Sequence, residues 1–329
     1  MNADTKTTFT MEEFDLSADY NDSYSENYES CYGERIVCDQ ESSMYFDSIF
    51  IPVIYSLALV MGLVGNGLVL VIVWKKRQSM KATDIFILHL SLADILLLLT
   101  LPFWTVDAAN EWIFGTPLCK LIGAVFKISF FCGIFMLSCI SLDCYLSIIH
   151  AVQTSKKQMV THCCCLMGWL FCLLFSIPDW ISLKSYKDSR SQDRTECVPE
   201  YPSDSWRLAT RQIYHILGFI LPGLIMLFCY TCILLRLWCG SQCKQNKRDF
   251  RFTIALVLAF CIHWMPYTVT LIIDTVQTNE AINPKTSCVN ATSLEVALTV
   301  TSTLACLHCC VIPVLYVGLK VSRKSFVWS

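Results

Sequence analysis

The sequence predicts an all-α membrane protein built as a seven-transmembrane helix bundle. Three observations predict it. Hydrophobic residues make up 54% of the 329-residue chain and charged residues only 16%, whereas a soluble chain of this length carries about a quarter charged residues. Seven stretches stay apolar over the roughly twenty residues that a helix needs to cross a bilayer. Lysine and arginine collect in alternate connections, all on one side of the bundle.

Residues 1–47 form an acidic tail. Residues 1–48 hold twelve acids against Lys6 and Arg35. The whole chain is −2, so the remainder is basic, and an acidic tail on a basic body points to a basic partner for the tail. No basic n-region or small-residue cleavage site precedes the first apolar stretch, so span 1 is expected to act as its own insertion signal.

The bundle occupies 48–318. Span 1 (48–74) contains Gly65 and stops at "WKKRQSMK". Span 2 (84–106) carries Asp94 and Pro102. Span 3 (119–148) is apolar except for Lys127 near its start and Asp143 near its end. Span 4 (160–182) contains Pro178, span 5 (209–238) Pro222, span 6 (249–274) Pro266 and span 7 (293–318) Pro313. Isolated Gly and Pro fit membrane helices, where neighbours satisfy the freed backbone groups. The basic runs after spans 1, 3 and 7 and before span 6 ("CKQNKRDFR") place the C-terminus in the cytoplasm and the acidic N-terminus outside. The mixed-charge segment 183–208 reads as an outer loop. Residues 319–329, within "VGLKVSRKSFVWS", leave room for a short amphipathic eighth helix along the membrane and little tail beyond it. Nothing repeats internally, and no second folded domain fits.

The chain has 20 cysteines. Cys31, Cys38, Cys119, Cys197 and Cys288 fall outside, where disulfides form. Most others lie within spans, where cysteine behaves as a small apolar residue. In "THCCCL" only His162 and Cys165 have the spacing to share a helix face, and both this cluster and "LHCCV" read as structural rather than metal-binding.

In family order, "GLVGNGLVL", "LSLADILLLLTLPFW", "DCYLSIIHA", Trp169, Pro222 with Tyr230, "HWMPY" and "PVLY" resemble the rhodopsin-like G-protein-coupled receptors. "LTLPFW", "EWIFGTPLCK" and "HCC" before the last proline resemble chemokine receptors, and "TVDAANEW" with "CLLFSIPDW" their CXC subgroup. The resemblance covers nearly the whole chain after residue 48. It implies a plasma-membrane receptor and not an enzyme. It implies basic CXC chemokines as partners outside, heterotrimeric G protein and arrestin inside, surrounding lipid, and no nucleic acid. It implies a disulfide Cys119–Cys197 and a second, Cys38–Cys288, for which Cys31 competes.

Tyr20, Tyr24, Tyr28 and Tyr32 sit among acids in "SADYNDSYSENYESCYGE". A solvated, disordered acidic tail is one reading. The resemblance adds another, that the tail binds ligand and that its tyrosines are sulfated, strengthening attraction to a basic protein. Asn21 and Asn290 head N-x-S/T glycosylation acceptors, Asn290 only two residues from Cys288. Asp107, Asp179 and Asp274 lie near the outer ends of spans 2, 4 and 6 and are expected to converge on one cationic-ligand mouth, with Trp104, Trp112 and Tyr267 as aromatic walls. Lys127, deep in apolar sequence, needs a partner or water, and Asp179 or Asp107 is expected to pair with it.

On the signalling side, the resemblance assigns switch roles to Asp94, Asp143, Cys144, Tyr145, Tyr230, Trp264, Ile312, Pro313 and Tyr316. Asp94 would anchor a sodium ion with help from Ser129 and His308, although Ile312 stands where the family has an asparagine and Gly133 offers no side chain. Tyr230 and Tyr316 would supply active-state tyrosine contacts. The family's D-R-Y arginine is long, always charged and rich in donors. Cys144 is short, neutral and a weak donor. The C-terminus has no serine–threonine cluster for kinases, so arrestin recruitment by a phosphorylated tail is not expected. Two readings follow: an atypical, scavenging chemokine receptor with weak or absent G-protein coupling, and a conventional chemotactic receptor coupled to inhibitory G protein. A transporter would show repeats or paired broken helices, and an enzyme a nucleophile–base or metal constellation. The sequence shows neither.

Overall fold

The computed structural model of the chain describes residues 40–149, 157–187, 194–239, 247–279 and 284–320. In chain order these form α1 (Gln40–Lys75), a 3-10 turn (Arg77–Ser79), α2 (Ala82–Ala109) and α3 (Gly115–Ile149). Then follow α4 (Lys157–Phe175), short α5 (Ile177–Ser182), strands β1 (Leu183–Lys187) and β2 (Thr195–Pro199), and α6 (Asp204–His215). A π turn (Ile216–Ile220) joins α6 to α7 (Leu221–Cys239), and α8 (Lys247–Asn279), α9 (Pro284–Cys306) and α10 (His308–Leu315) complete the helices. A helical extension, Tyr316–Lys320, begins the segment expected to form the eighth helix. Residues 321–329 lie outside the described residues.

Seven helical segments are long and apolar enough to span a bilayer: Phe46–Lys75, Ala82–Ala109, Gly115–Ile149, Gln158–Ser182, Ser205–Arg236, Ile254–Val276 and Ser293–Leu319. Several boundaries differ from those expected. The third span starts four residues before Cys119 because Gly115, at φ +71, makes the left-handed turn that launches α3, a backbone state that glycine adopts without a Cβ penalty. The fifth begins at Ser205, after Ser203 accepts a hydrogen bond from the Trp206 backbone N–H at 3.2 Å and caps α6. The fourth is two helices. The chain breaks at Ser176, whose hydroxyl turns back to the Leu173 carbonyl at 2.8 Å, with Pro178 just inside α5.

The segment expected to be loop carries an antiparallel hairpin, with Ser185 opposite Cys197 in the β1–β2 ladder. Its polar alternation was too weak to read as strand from the sequence. The Cys119–Cys197 disulfide fastens it to the top of α3.

Helix α3 is the hub, packed against α2, α4, α7 and α8. Its inward face places Phe130 and Phe131 in a buried aromatic cluster with Phe219 and Trp264. Large apolar residues such as Val60, Leu99, Leu166, Leu224 and Phe228 lie exposed on the outer faces, where lipid replaces water. Apolar burial then gives little drive between helices, and close backbone approach matters more. At Gly65 a Cβ would stand 2.9 Å from Pro313 Cβ. Beside it, Asn66 Nδ2 donates to the Gly62 carbonyl at 3.0 Å and to the Cys309 carbonyl at 2.9 Å, tying α1 to α10.

Candidate functional site

An open cavity of about 710 Å3 lies at the end of the bundle that carries the β1–β2 hairpin, within the range of ordinary ligand pockets. Trp264 closes its floor, its ring 4.2 Å from that of Phe130. Of the residues predicted to bind ligand, Trp104, Asp107, Lys127, Asp179 and Tyr267 line it. Tyr20, Tyr24, Tyr28, Asn21, Cys31 and Cys38 lie outside the described residues, as do the side chains of Cys288 and Asn290, so neither the second disulfide nor the sulfation and glycosylation sites are placed.

Two predicted lining residues are not in the wall. Trp112 is fully buried, donates its indole N–H to the Gly115 carbonyl at 2.9 Å, and receives the hairpin through its backbone N–H to the Thr195 carbonyl at 2.8 Å. It holds the α2–α3 connection and β2 together instead of facing ligand. Asp274 is paired with Arg211, Nη1 to Oδ2 at 2.6 Å, and it is Arg211 that faces the cavity.

The expected Lys127–carboxylate pair also does not form. Lys127 Nζ sits over the Tyr214 ring, 4.6 Å from its centroid, a cation–π contact that benefits from desolvation. Asp179 is engaged by the Tyr214 hydroxyl, which donates to its Oδ2. A tyrosine thus stands between the two charges the sequence suggested would touch, and α6 supplies it from a face that no linear pattern marks.

The sequence reading missed the rest of the polar lining. Asp47, Glu196 and Glu295 add carboxylates, and Arg194 and Arg211 add guanidinium groups. Asp47 Oδ2 accepts from Thr299 at 3.3 Å, and Arg194 donates to the Asp107 backbone carbonyl. Tyr201, on the segment after β2, has its hydroxyl pKa pushed up by burial and by the nearby Asp179 charge, so it remains a neutral donor. Arg211 was the legible one, a lone cation just inside span 5. The others sit near the ends of the apolar spans or on the hairpin, where charges are ordinary in any membrane protein.

Below the floor, Asp94, Ser129, Gly133, His308 and Trp264 surround a space of about 10 Å3, room for about one water. Asp94 Oδ2, Ser129 Oγ and both His308 nitrogens are buried without a protein hydrogen-bond partner. Hard cations are held by about six oxygens. Asp94 and Ser129 together offer three side-chain oxygens, and the other neighbours are an imidazole and apolar groups, so these residues do not make up the oxygen set of a sodium ion.

At the opposite end of the bundle, Asp143 Oδ2 accepts from Thr83 Oγ1 at 3.1 Å. Cys144 is buried, and Tyr145 packs on Phe228 with centroids 5.7 Å apart. The Tyr230 hydroxyl is 3.2 Å from Ser141 Oγ, while the Tyr316 hydroxyl donates to Asp84 Oδ1 at 3.2 Å. Asp84 was not predicted. It is fully buried, takes Lys76 Nζ at 2.6 Å and accepts the Lys81 backbone N–H at 3.0 Å. In sequence it reads as an ordinary first-turn acid of α2.

His162 and Cys165 do not share a site. His162 faces outward against His89, with rings 6.0 Å apart, and Cys165 is buried in the core.

The profile described as "7 transmembrane receptor (rhodopsin family)" matches residues 65–316. The chain is 41% identical to the C-X-C chemokine receptor type 3 of Bos taurus over 293 residues, 88% of this chain and 79% of that one. It is 38% identical to the type 3 receptor of Homo sapiens over 327 residues, 99% and 86% of the two chains. Against the type 3 receptor of Rattus norvegicus the identity is 39% over 307 residues, 93% and 82%. The bundle, the hairpin bolted to α3 and the open outer cavity are what such a receptor needs, and the chain belongs to the rhodopsin family of seven-transmembrane receptors, within it to the CXC chemokine receptors.

Proposed function

We propose that this chain captures basic CXC chemokines at the plasma membrane and carries them inward with weak or absent G-protein activation. The N-terminus is outside and the C-terminus cytoplasmic. The acidic tail, its tyrosines sulfated, engages the body of the chemokine, and the cavity takes the segment that penetrates the bundle. Cys38 and Cys288 form a second disulfide.

Membership of the chemokine receptors carries the ligand class and, generally, a G-protein partner. The observation that carries the atypical reading is Cys144. It fills the arginine position of the family's coupling motif with a buried, neutral thiol. A thiol has neither the reach nor the five donors of a guanidinium. The alternative is a conventional receptor that couples to inhibitory G protein and drives chemotaxis.

The test measures chemokine uptake and G-protein dissociation in the same cells. The unaltered chain should internalise labelled chemokine with little dissociation, and Cys144→Arg, alone or with Ile312→Asn, should raise dissociation about tenfold or more, the scale of a gained charge-assisted contact. Strong G-protein activation by the unaltered chain would establish the conventional reading instead.

A further inference from the structure

We propose that Lys127 is the anchor of an anion subsite in the outer cavity, so that the penetrating ligand segment carries a carboxylate as well as cations. The inference rests on reading that cavity as the ligand site and adds the chemical class of what enters it.

The cavity wall is divided by charge. Asp47 on α1, Asp107 on α2, Glu196 on β2 and Glu295 on α9 stand with one guanidinium, that of Arg194. On the other side, α3, α5 and α6 bring Lys127 and Arg211 with one carboxylate, Asp179. Arg211 is already held by Asp274 at 2.6 Å. Asp179 is already held by the Tyr214 hydroxyl. Lys127 is the cation that touches no carboxylate, although the Asp179 charge lies close enough to stabilise it. Among the described residues no carboxylate oxygen comes within the 4.0 Å of an ion pair, and its ammonium rests on the face of Tyr214.

A lysine kept only for the fold would be paired with the nearest carboxylate, because an unpaired charge this deep is costly. Here the Asp179 charge acts on Lys127 from beyond contact distance, its Oδ2 taken by the Tyr214 hydroxyl. The ring occupies one side of the ammonium, and Lys127 lines the cavity. The flanking Phe126, Phe130 and Phe131 lower the local dielectric, which strengthens attraction to any anion that reaches Lys127. A wholly cationic ligand segment gains at the acidic wall and is repelled at Lys127. A segment with cationic and acidic groups satisfies both.

The test uses the full chain in lipid nanodiscs and three probes. Two are tripeptide amides, Lys-Leu-Glu and its isostere Lys-Leu-Gln, and the third is 6-aminohexanoate. Binding is read from the rise in unfolding temperature with probe concentration. The glutamate peptide should bind about tenfold or more tightly than the glutamine peptide. That preference should vanish in Lys127→Gln and persist in Lys127→Arg, which keeps the charge. Equal affinities in the unaltered chain, binding of neither peptide, or a preference that survives Lys127→Gln would overturn the subsite. A response to 6-aminohexanoate matching that to the glutamate peptide would overturn its assignment to a peptide segment in favour of small free zwitterions. The comparison on the unaltered chain needs no variant to fold. Labelled CXC chemokines applied to the same discs separate the two claims: no chemokine binding with peptide discrimination sinks the chemokine reading alone, and chemokine binding without discrimination sinks the subsite alone.

Discussion

Asp84 Oδ2 is 2.6 Å from Lys76 Nζ, and its other oxygen accepts from Tyr316. One buried carboxylate therefore joins the α1–α2 connection, α2 and the start of the C-terminal extension. Tyr316 is the residue the family resemblance assigns to an active-state contact with Tyr230. In this structure the two hydroxyls are held apart, one by Asp84 and the other by Ser141. A double-mutant cycle in thermal unfolding should resolve the tie. Tyr316→Phe is expected to cost about 1 kcal/mol, one neutral hydrogen bond. Asp84→Asn should cost about 1–3 kcal/mol, since it leaves Lys76 without its carboxylate. The two should couple by at least about 0.5 kcal/mol. Strict additivity would mean that Tyr316 is not held through Asp84.

At the scale of elements, α1 and α10 meet through Gly65 and Asn66. The contact was invisible in sequence, where Gly65 and Gly67 look alike in "GLVGNGLVL". The structure separates them. A Cβ at Gly65 meets Pro313 at 2.9 Å, and at Gly67 it meets nothing within 4 Å. Gly67→Ala should therefore be neutral or stabilise by up to about 1 kcal/mol, the helix-propensity gain. Gly65→Ala should destabilise by about 1–3 kcal/mol, because a proline ring cannot rotate out of the way. Matching unfolding temperatures for the two variants would show that α1 and α10 have slack here. The outer hairpin belongs to the same scale. Its strands pair through backbone groups and are fastened at Cys197, so neither strand needed the apolar alternation that would have announced it.

Across the whole molecule, charge is separated by region: a tail with ten more acids than bases in residues 1–48, and a basic remainder. A tail of that charge steers a basic ligand over distances comparable to the Debye length. The chemokine association rate should fall about tenfold or more between 50 mM and 500 mM salt, with the dissociation rate changing much less. Surface plasmon resonance on nanodisc-embedded receptor measures both. Association indifferent to salt would remove the tail as a steering element.

The sequence by itself determined the bundle. Span number and the alternation of basic connections are each properties of local composition, and a bilayer reads composition directly. It also placed the Cys119–Cys197 bridge, through family resemblance rather than geometry. Tertiary structure decided the partners. Lys127 rests on Tyr214 instead of pairing with Asp179, Arg211 takes Asp274, Trp112 pins the hairpin, and Asp84 holds Tyr316. Each of these contacts joins residues from different helices or from a helix and a loop. Their meeting depends on how each helix is rotated about its axis and where it is kinked. Close packing at small residues and prolines fixes those two quantities, and in a membrane hydrophobic periodicity records neither, because the lipid-facing and core-facing sides are both apolar.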